Sequence, residues 1–152
     1  MEELLLRVQQ GQVEVKEALE RLRILPFEDL GFAKIDHHRT LRKGFPEVIY
    51  GPGKSPEQLV QIAQSVLEAS SKVLITRVEP EVYARVREAL PKAHYNQLAR
   101  AVVLRRDKEP MPAPGVLTVA AGTADLPVAE EAALTAELMG NEVERVWDVG
   151  VA

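Results

Sequence analysis

Cysteine is missing from all 152 residues, which removes disulfides, thiolate metal sites and a cysteine nucleophile from this chain. Histidine is scarce. His37, His38 and His94 are the three present, and the first two, being adjacent, point in different directions in any regular helix or strand, so no zinc or other metal site is expected on them. Charge of one sign is lacking as well: 19 Lys and Arg against 23 Asp and Glu leave a net charge of -4, with no global pull toward nucleic acid or an anionic membrane. No run of eighteen apolar residues exists, and Met-Glu-Glu is the wrong opening for a secretory signal. The expectation is a cytoplasmic protein without a nucleic-acid or membrane partner. What is there, 46% apolar and 28% charged residues, is the composition of an ordinary globular protein long enough to bury a substantial core.

Leu4, Leu5 and Val8 mark a short helix ending at Gly11, and Val15, Ala18, Leu19 and Leu22 mark a second running to about residue 26. This hairpin resembles a DNA-reading helix-turn-helix in outline. Its outer face, however, carries only Lys16, Arg21 and Arg23 among several glutamates, which favours packing or contact between copies. From residue 31 to 107 strand and helix patterns alternate. Residues 32–35, 48–50, 73–76 and 101–104 read as strands. Ser55 reads as an N-cap with Pro56 at the first helical position and Gln58 closing a capping box, ahead of a helix burying Leu59, Ile62, Ala63 and Val66. A further helix spans 80–90 with Val82, Val86 and Leu90 inward. This is a small α/β domain. The tract RRDKEPMPAP at 105–114 is charged and then proline-rich, so a domain 1–107, with its hairpin at 1–26, is expected to meet a linker at 108–114.

Residues 116–152 read as a buried strand, a small-residue turn, a helix and a second strand at 143–149, a βαβ unit whose strands run parallel. Pro127 suits the helix start, and Glu130 and Glu131 suit the positive end of its dipole. Val128, Ala129, Ala132, Ala133, Ala136 and Met139 share its expected inner face, and Gly140-Asn141 ends it. Small residues between a strand's carboxyl end and a helix make a nest of backbone amides for phosphate or carboxylate. Gly122, Thr123 and Asp125 occupy that place, Asp125 either capping the helix or meeting a substrate hydroxyl. With Gly122 the one glycine of the turn, neither a P-loop nor a GxGxxG fingerprint is present.

The densest chemistry lies at 34–54: Lys34, Asp36, His37, His38, Arg39, Arg42, Lys43, Glu47 and Lys54, punctuated by Gly44, Pro46, Gly51 and Gly53. Arginine grips phosphate or carboxylate through paired hydrogen bonds, lysine adds a point charge, and Asp36 or Glu47 is placed to orient a histidine that moves a proton. An anionic substrate fits such a cluster. A solvated loop with surface ion pairs is the plainer alternative.

FAKIDHHRTLRKGFPEVIYGPGKSPEQLVQIA at 32–63, together with AGTADLPVAEEAALTAELMGNEVERVWDVGVA at 121–152, resembles the LarB family, whose C-terminal half is similar to PurE-type aminoimidazole ribonucleotide carboxylases. The resemblance implies a helical hairpin and small α/β domain followed, at 115–152, by the first βαβ unit of a PurE-like parallel-sheet domain of flavodoxin or Rossmann type. It also implies a homo-oligomeric synthase of the nickel-pincer cofactor pathway. Such an enzyme carboxylates the pyridinium ring of nicotinic acid adenine dinucleotide with CO2 or bicarbonate and cleaves the phosphoanhydride, releasing AMP; Mg2+ is left open. Lys34, Asp36, His37, His38, Arg39, Arg42, Glu47, Gly122, Thr123 and Asp125 become the expected substrate-binding residues. The family's nucleophilic cysteine follows later motifs, so this chain is expected to be an inactive amino-terminal part. A purine-pathway carboxylase or mutase and a non-catalytic nucleotide-binding module are the alternatives.

Overall fold

The computed structural model describes residues 2–23, 28–37, 45, 47–106 and 111–150, with the backbone alone for 2 and 20–23. The chain packs as two units, Met1–Glu47 and Val48–Ala152.

In the first unit α1 (Glu2–Gln9) and α2 (Val15–Arg23) form the expected hairpin. Gly11 at φ 69 donates to Val8 O, ending α1 where a side chain would be strained. Val13 and Ala18 are buried. Two strands follow, β1 (Glu28–Asp29) and β2 (Lys34–Ile35), paired antiparallel with Glu28 opposite Ile35. The loop between them is set by Asp29, whose Oδ1 accepts from the Gly31 amide at 2.8 Å, with Gly31 at φ 81. β1 is absent from the sequence reading, and β2 is shorter than the 32–35 expected.

The second unit holds β3 (Ile49–Tyr50), α3 (Pro56–Ala69), β4 (Lys72–Thr76), α4 (Pro80–Ala89), β5 (His94–Asn96), β6 (Ala101–Arg105), β7 (Ala113–Ala120), α5 (Leu126–Leu138) and β8 (Asn141–Trp147). Strand order β3-β4-β6-β5 makes a mixed sheet in which β3 and β4 are parallel and the other pairs antiparallel. β4 and β6 are buried along nearly their whole length, as strands covered on both faces must be, which explains the apolar runs VLI and AVVL. The Ser55 capping box forms as read: its hydroxyl accepts from the Gln58 amide, and Gln58 Oε1 accepts from the Ser55 amide at 2.9 Å. Leu59, Ile62, Ala63 and Val66 are buried. On α4 only Val86 is fully inside; Val82 and Leu90 are half-buried.

β7 and β8 pair in parallel, as the βαβ pattern requires. Pro114 and Gly115 lie inside β7 at a register shift, with Gly115 at φ 113, so part of the expected linker is a bulged strand. Residues 107–110 of that linker lie outside the described residues.

Three local expectations are corrected. β7 is not buried: α5 covers the face bearing Val116, Thr118 and Ala120, while Leu117 and Val119 are exposed. The inner face of α5 is Glu130, Ala133, Leu134 and Leu138, with Val128 and Met139 outside. The alanines at 129, 132, 133 and 136 leave the pattern without contrast, and the helix is rotated by the demands of Glu130. That residue sits beyond the first turn and is no dipole partner. Its nearly buried carboxylate accepts from Arg145 Nε at 2.8 Å and Asn96 Nδ2 at 2.7 Å. Asn96 on β5, and Lys72 on β4 donating to Leu138 O at 2.8 Å, tie α5 to the larger sheet.

Candidate functional site

The expected site residues fall in both units. In the first, β1 and β2 set a carboxylate beside an imidazole. Glu28 leaves β1 and His37 follows β2 by two residues, so antiparallel pairing brings together side chains nine positions apart. His37 Nε2 lies 3.0 Å from Glu28 Oε2, and the imidazole side chain is 2% exposed while the carboxylate is 34% exposed. A carboxylate on one ring nitrogen fixes the ring plane and favours the tautomer that donates from that nitrogen. Asp36 or Glu47 is the orienting acid expected from the sequence. Glu28 takes that position, and its signal was faint: one more acid in a Phe-Glu-Asp-Leu-Gly turn.

Glu47 acts on the backbone. Its Oε2 accepts from the Asp36 amide at 3.0 Å. Ile35 and Phe45 are buried on the same segment. Lys34 sits 3.9 Å from Asp29 Oδ2 with both side chains more than half exposed, an ion pair well screened by water. His38, Arg39 and Arg42 lie outside the described residues.

In the second unit Gly122 is extended, and residues Thr123–Asp125 form one 3-10 turn leading directly into α5, with the Asp125 amide donating to Gly122 O at 3.1 Å. The side chains of Thr123 and Asp125 are exposed. Asp125 stands at the N-cap position, but its backbone is αR and its side chain makes no capping bond. The capping alternative is therefore overturned, because an N-cap carboxylate reaches the helix amides from an extended backbone. Both parallel strands end here. The chain beyond β8 continues the ladder, with Val149 and Gly150 amides donating to Ala120 O and Ala121 O at 3.3 and 3.0 Å. A side chain at Gly150 would bring its Cβ to 2.6 Å from Ala121 O, so only glycine fits. Nothing local in the sequence marks Gly150, because its requirement comes from Ala121, distant along the chain.

Among the described residues no three His, Asp or Glu side chains converge as metal ligands, and no helix is long and apolar enough to cross a membrane.

Residues 27–107 match the LarB/PurE-like N-terminal domain. The chain belongs to the LarB family. The LarB match takes in Glu28, Lys34, Asp36, His37 and Glu47, as well as the mixed sheet and its two helices. Across its whole length this LarB-family chain is also 30% identical, over 161 residues, to an uncharacterized protein of Methanocaldococcus jannaschii. It spans 62% of that relative's length.

Proposed function

We propose that this chain supplies the substrate-holding part of a LarB-type synthase, which carboxylates the pyridinium ring of nicotinic acid adenine dinucleotide and hydrolyses its phosphoanhydride, releasing AMP. The supporting observation is the LarB-family match over residues 27–107, with the Glu28–His37 pair inside it.

The chemistry proceeds in balanced steps. A nucleophile adds to the electron-poor ring, and a neighbouring ring carbon, now electron-rich, attacks carbon dioxide to form a carbon–carbon bond. Loss of the ring proton at that carbon and departure of the nucleophile restore the aromatic cation. Water then attacks the phosphoanhydride, giving AMP and the carboxylated mononucleotide. A thiol nucleophile, which the family resemblance calls for, has to come from outside these residues, since the chain has no cysteine.

Within this reading the chain's own residues bind and orient. His37 is shielded from solvent and has a positioning part: anchored on Glu28, it fixes the start of the segment that continues into Arg39 and Arg42. Those two guanidinium groups grip phosphate or carboxylate oxygens. At 121–125, Thr123 and the backbone of the turn hold a second anionic group at the carboxyl ends of the parallel strands. Mg2+ brought with the substrate phosphates is part of the same proposal, though the described residues offer no converging ligand set. Association of copies into a homo-oligomer is a further part, measured by light scattering.

The test is incubation of the full-length enzyme with nicotinic acid adenine dinucleotide and bicarbonate, following AMP and the carboxylated product by chromatography. Aminoimidazole ribonucleotide serves as the competing substrate. Glu28→Gln is expected to lower kcat/KM about tenfold, the cost of weakening one hydrogen bond to a charged group, mainly through KM. Absence of AMP from the unaltered enzyme, or turnover of the ribonucleotide instead, overturns the reading.

A further inference from the structure

We propose that the cleft between residues 51–54 and 77–79 is a binding site for a phosphate monoester. Lys54, Gly51 and Gly53 come from the far end of the 34–54 cluster, the other residues lie outside the expected site, and the inference does not depend on the synthase reading.

β3 and β4 run parallel, with Ile49 opposite Ile75 and Tyr50 opposite Thr76, so their carboxyl ends open on the same edge of the sheet. In parallel sheets, that edge is where ligands bind. The loop leaving β3 is Gly51-Pro52-Gly53-Lys54, and the loop leaving β4 is Arg77-Val78-Glu79. Between them lies a cavity of about 270 Å3 with Leu59, Val78 and Val82 on its apolar side and Lys54, Arg77 and Glu79 on its polar side. Its size is just under that of drug-sized pockets, which suits a phosphate with the small group that carries it and excludes a whole dinucleotide.

The loops are held close by Gly51. Its amide donates to Thr76 O at 2.9 Å, and a Cβ there would stand 2.8 Å from the same oxygen. Lys54 is aimed by its own loop: Nζ donates to Tyr50 O at 2.7 Å, which leaves two of the three ammonium hydrogens for a ligand. Arg77 forms no ion pair with any described residue. Its backbone sits at φ 55, a left-handed conformation that costs a non-glycine residue about 1 kcal/mol and clusters at ligand sites. The one acid of the cleft, Glu79, is matched by Arg100 at 3.1 Å. Lys54 and Arg77 therefore face the cavity with uncompensated positive charge, a point charge and a planar fork, the pair of groups that phosphate recognition uses. The helix end of α3 is not what binds: its first amides are occupied by the Ser55 capping box, and the Glu57 carboxylate lies 2.7 Å from the Ser55 hydroxyl.

The experiment is a titration of the 152-residue chain with ribose 5-phosphate, and separately with inorganic phosphate, followed by amide chemical shifts and calorimetry at fixed ionic strength. Saturable shifts confined to residues 51–54 and 77–79 are expected with ribose 5-phosphate. Arg77→Gly removes the guanidinium while relieving the positive φ, so it keeps the fold and is expected to weaken binding about tenfold, as is Lys54→Gln. Unaltered affinity in a folded Arg77→Gly chain overturns the site. So do shifts elsewhere, or no saturation with either probe.

Discussion

Arg145 is the residue on which the second unit's internal charge balance turns, and replacing it with methionine makes a measurable demand. Its guanidinium donates to Glu130 through Nε at 2.8 Å and Nη2 at 3.3 Å, and to Glu137 through Nη1 at 2.6 Å. Those two acids, Glu137 first, push the guanidinium further above its ordinary value, so it is charged at every accessible pH. Arg145→Met leaves two carboxylates one heptad apart on the same side of α5. Glu130, whose side chain is 10% exposed, keeps only Asn96. Breaking a fully buried pair costs roughly 3–5 kcal/mol, but the Arg145 side chain is 26% exposed and Glu137 31%, so water relieves part of it. A loss of about 2–3 kcal/mol follows. Urea unfolding reads it directly, because the sole tryptophan, Trp147, lies two residues along the same strand face. Adding Glu130→Gln to Arg145→Met removes the orphaned charge and should recover about 1 kcal/mol or more, a coupling of the size expected for residues in contact. An Arg145→Met stability within about 0.5 kcal/mol of the unaltered chain, the range of ordinary surface substitutions, refutes this cost. A double variant equal to the sum of the single ones refutes the coupling.

Other expectations follow from single contacts. Gly51→Ala sets its Cβ against two backbone oxygens, Thr76 O at 2.8 Å and Arg77 O at 3.2 Å, neither of which can swing away; a loss of about 1–3 kcal/mol is expected in thermal melts. Ser55→Ala removes the cap of α3 and should cost about 1 kcal/mol. The Ser55 hydroxyl also holds the Glu57 carboxyl below its usual range, so the stability linked to Glu57 is present at neutral pH and fades as pH falls through the acid range; NMR titration should find Glu57 shifted back upward in Ser55→Ala. Burial pushes the Tyr95 phenol above its ordinary value near 10, and its hydroxyl donates to Val78 O at 2.8 Å. An acid raised by folding ionises first in the unfolded chain, so stability falls as pH climbs through that value. Tyr95→Phe should flatten this alkaline limb while costing about 1 kcal/mol at neutral pH.

Local grammar carried much of the fold. Ser55, Pro56 and Gln58 announce the start of α3 because a capping box is a three-residue event, and the runs at 73–76 and 101–104 announce β4 and β6 because strands covered on both faces need no polar alternation. Gly140 marked the end of α5 for the same reason. What escaped is decided at long range. β1 and β5 have two and three residues, too short for any periodicity. Glu130 reads as a surface acid until Asn96 and Arg145 arrive from other strands. At the candidate site, the chemistry-bearing residue types at 34–47 were legible. The pairing of His37 with Glu28 was not, because it depends on the hairpin bringing β1 beside β2.

The two hydrogen bonds donated by the Val149 and Gly150 amides lie beyond the end of β8 and at the last residue of β7 and the one after it. They act as a clasp, so the bend at 121–122 is held as much by the far end of the chain as by its own neighbours. A ligand pressing on Thr123 would transmit that load to Asp148, whose backbone is already left-handed at φ 59. Slower amide exchange at Gly150 would then report, from a distant stretch of sequence, that the bend is occupied.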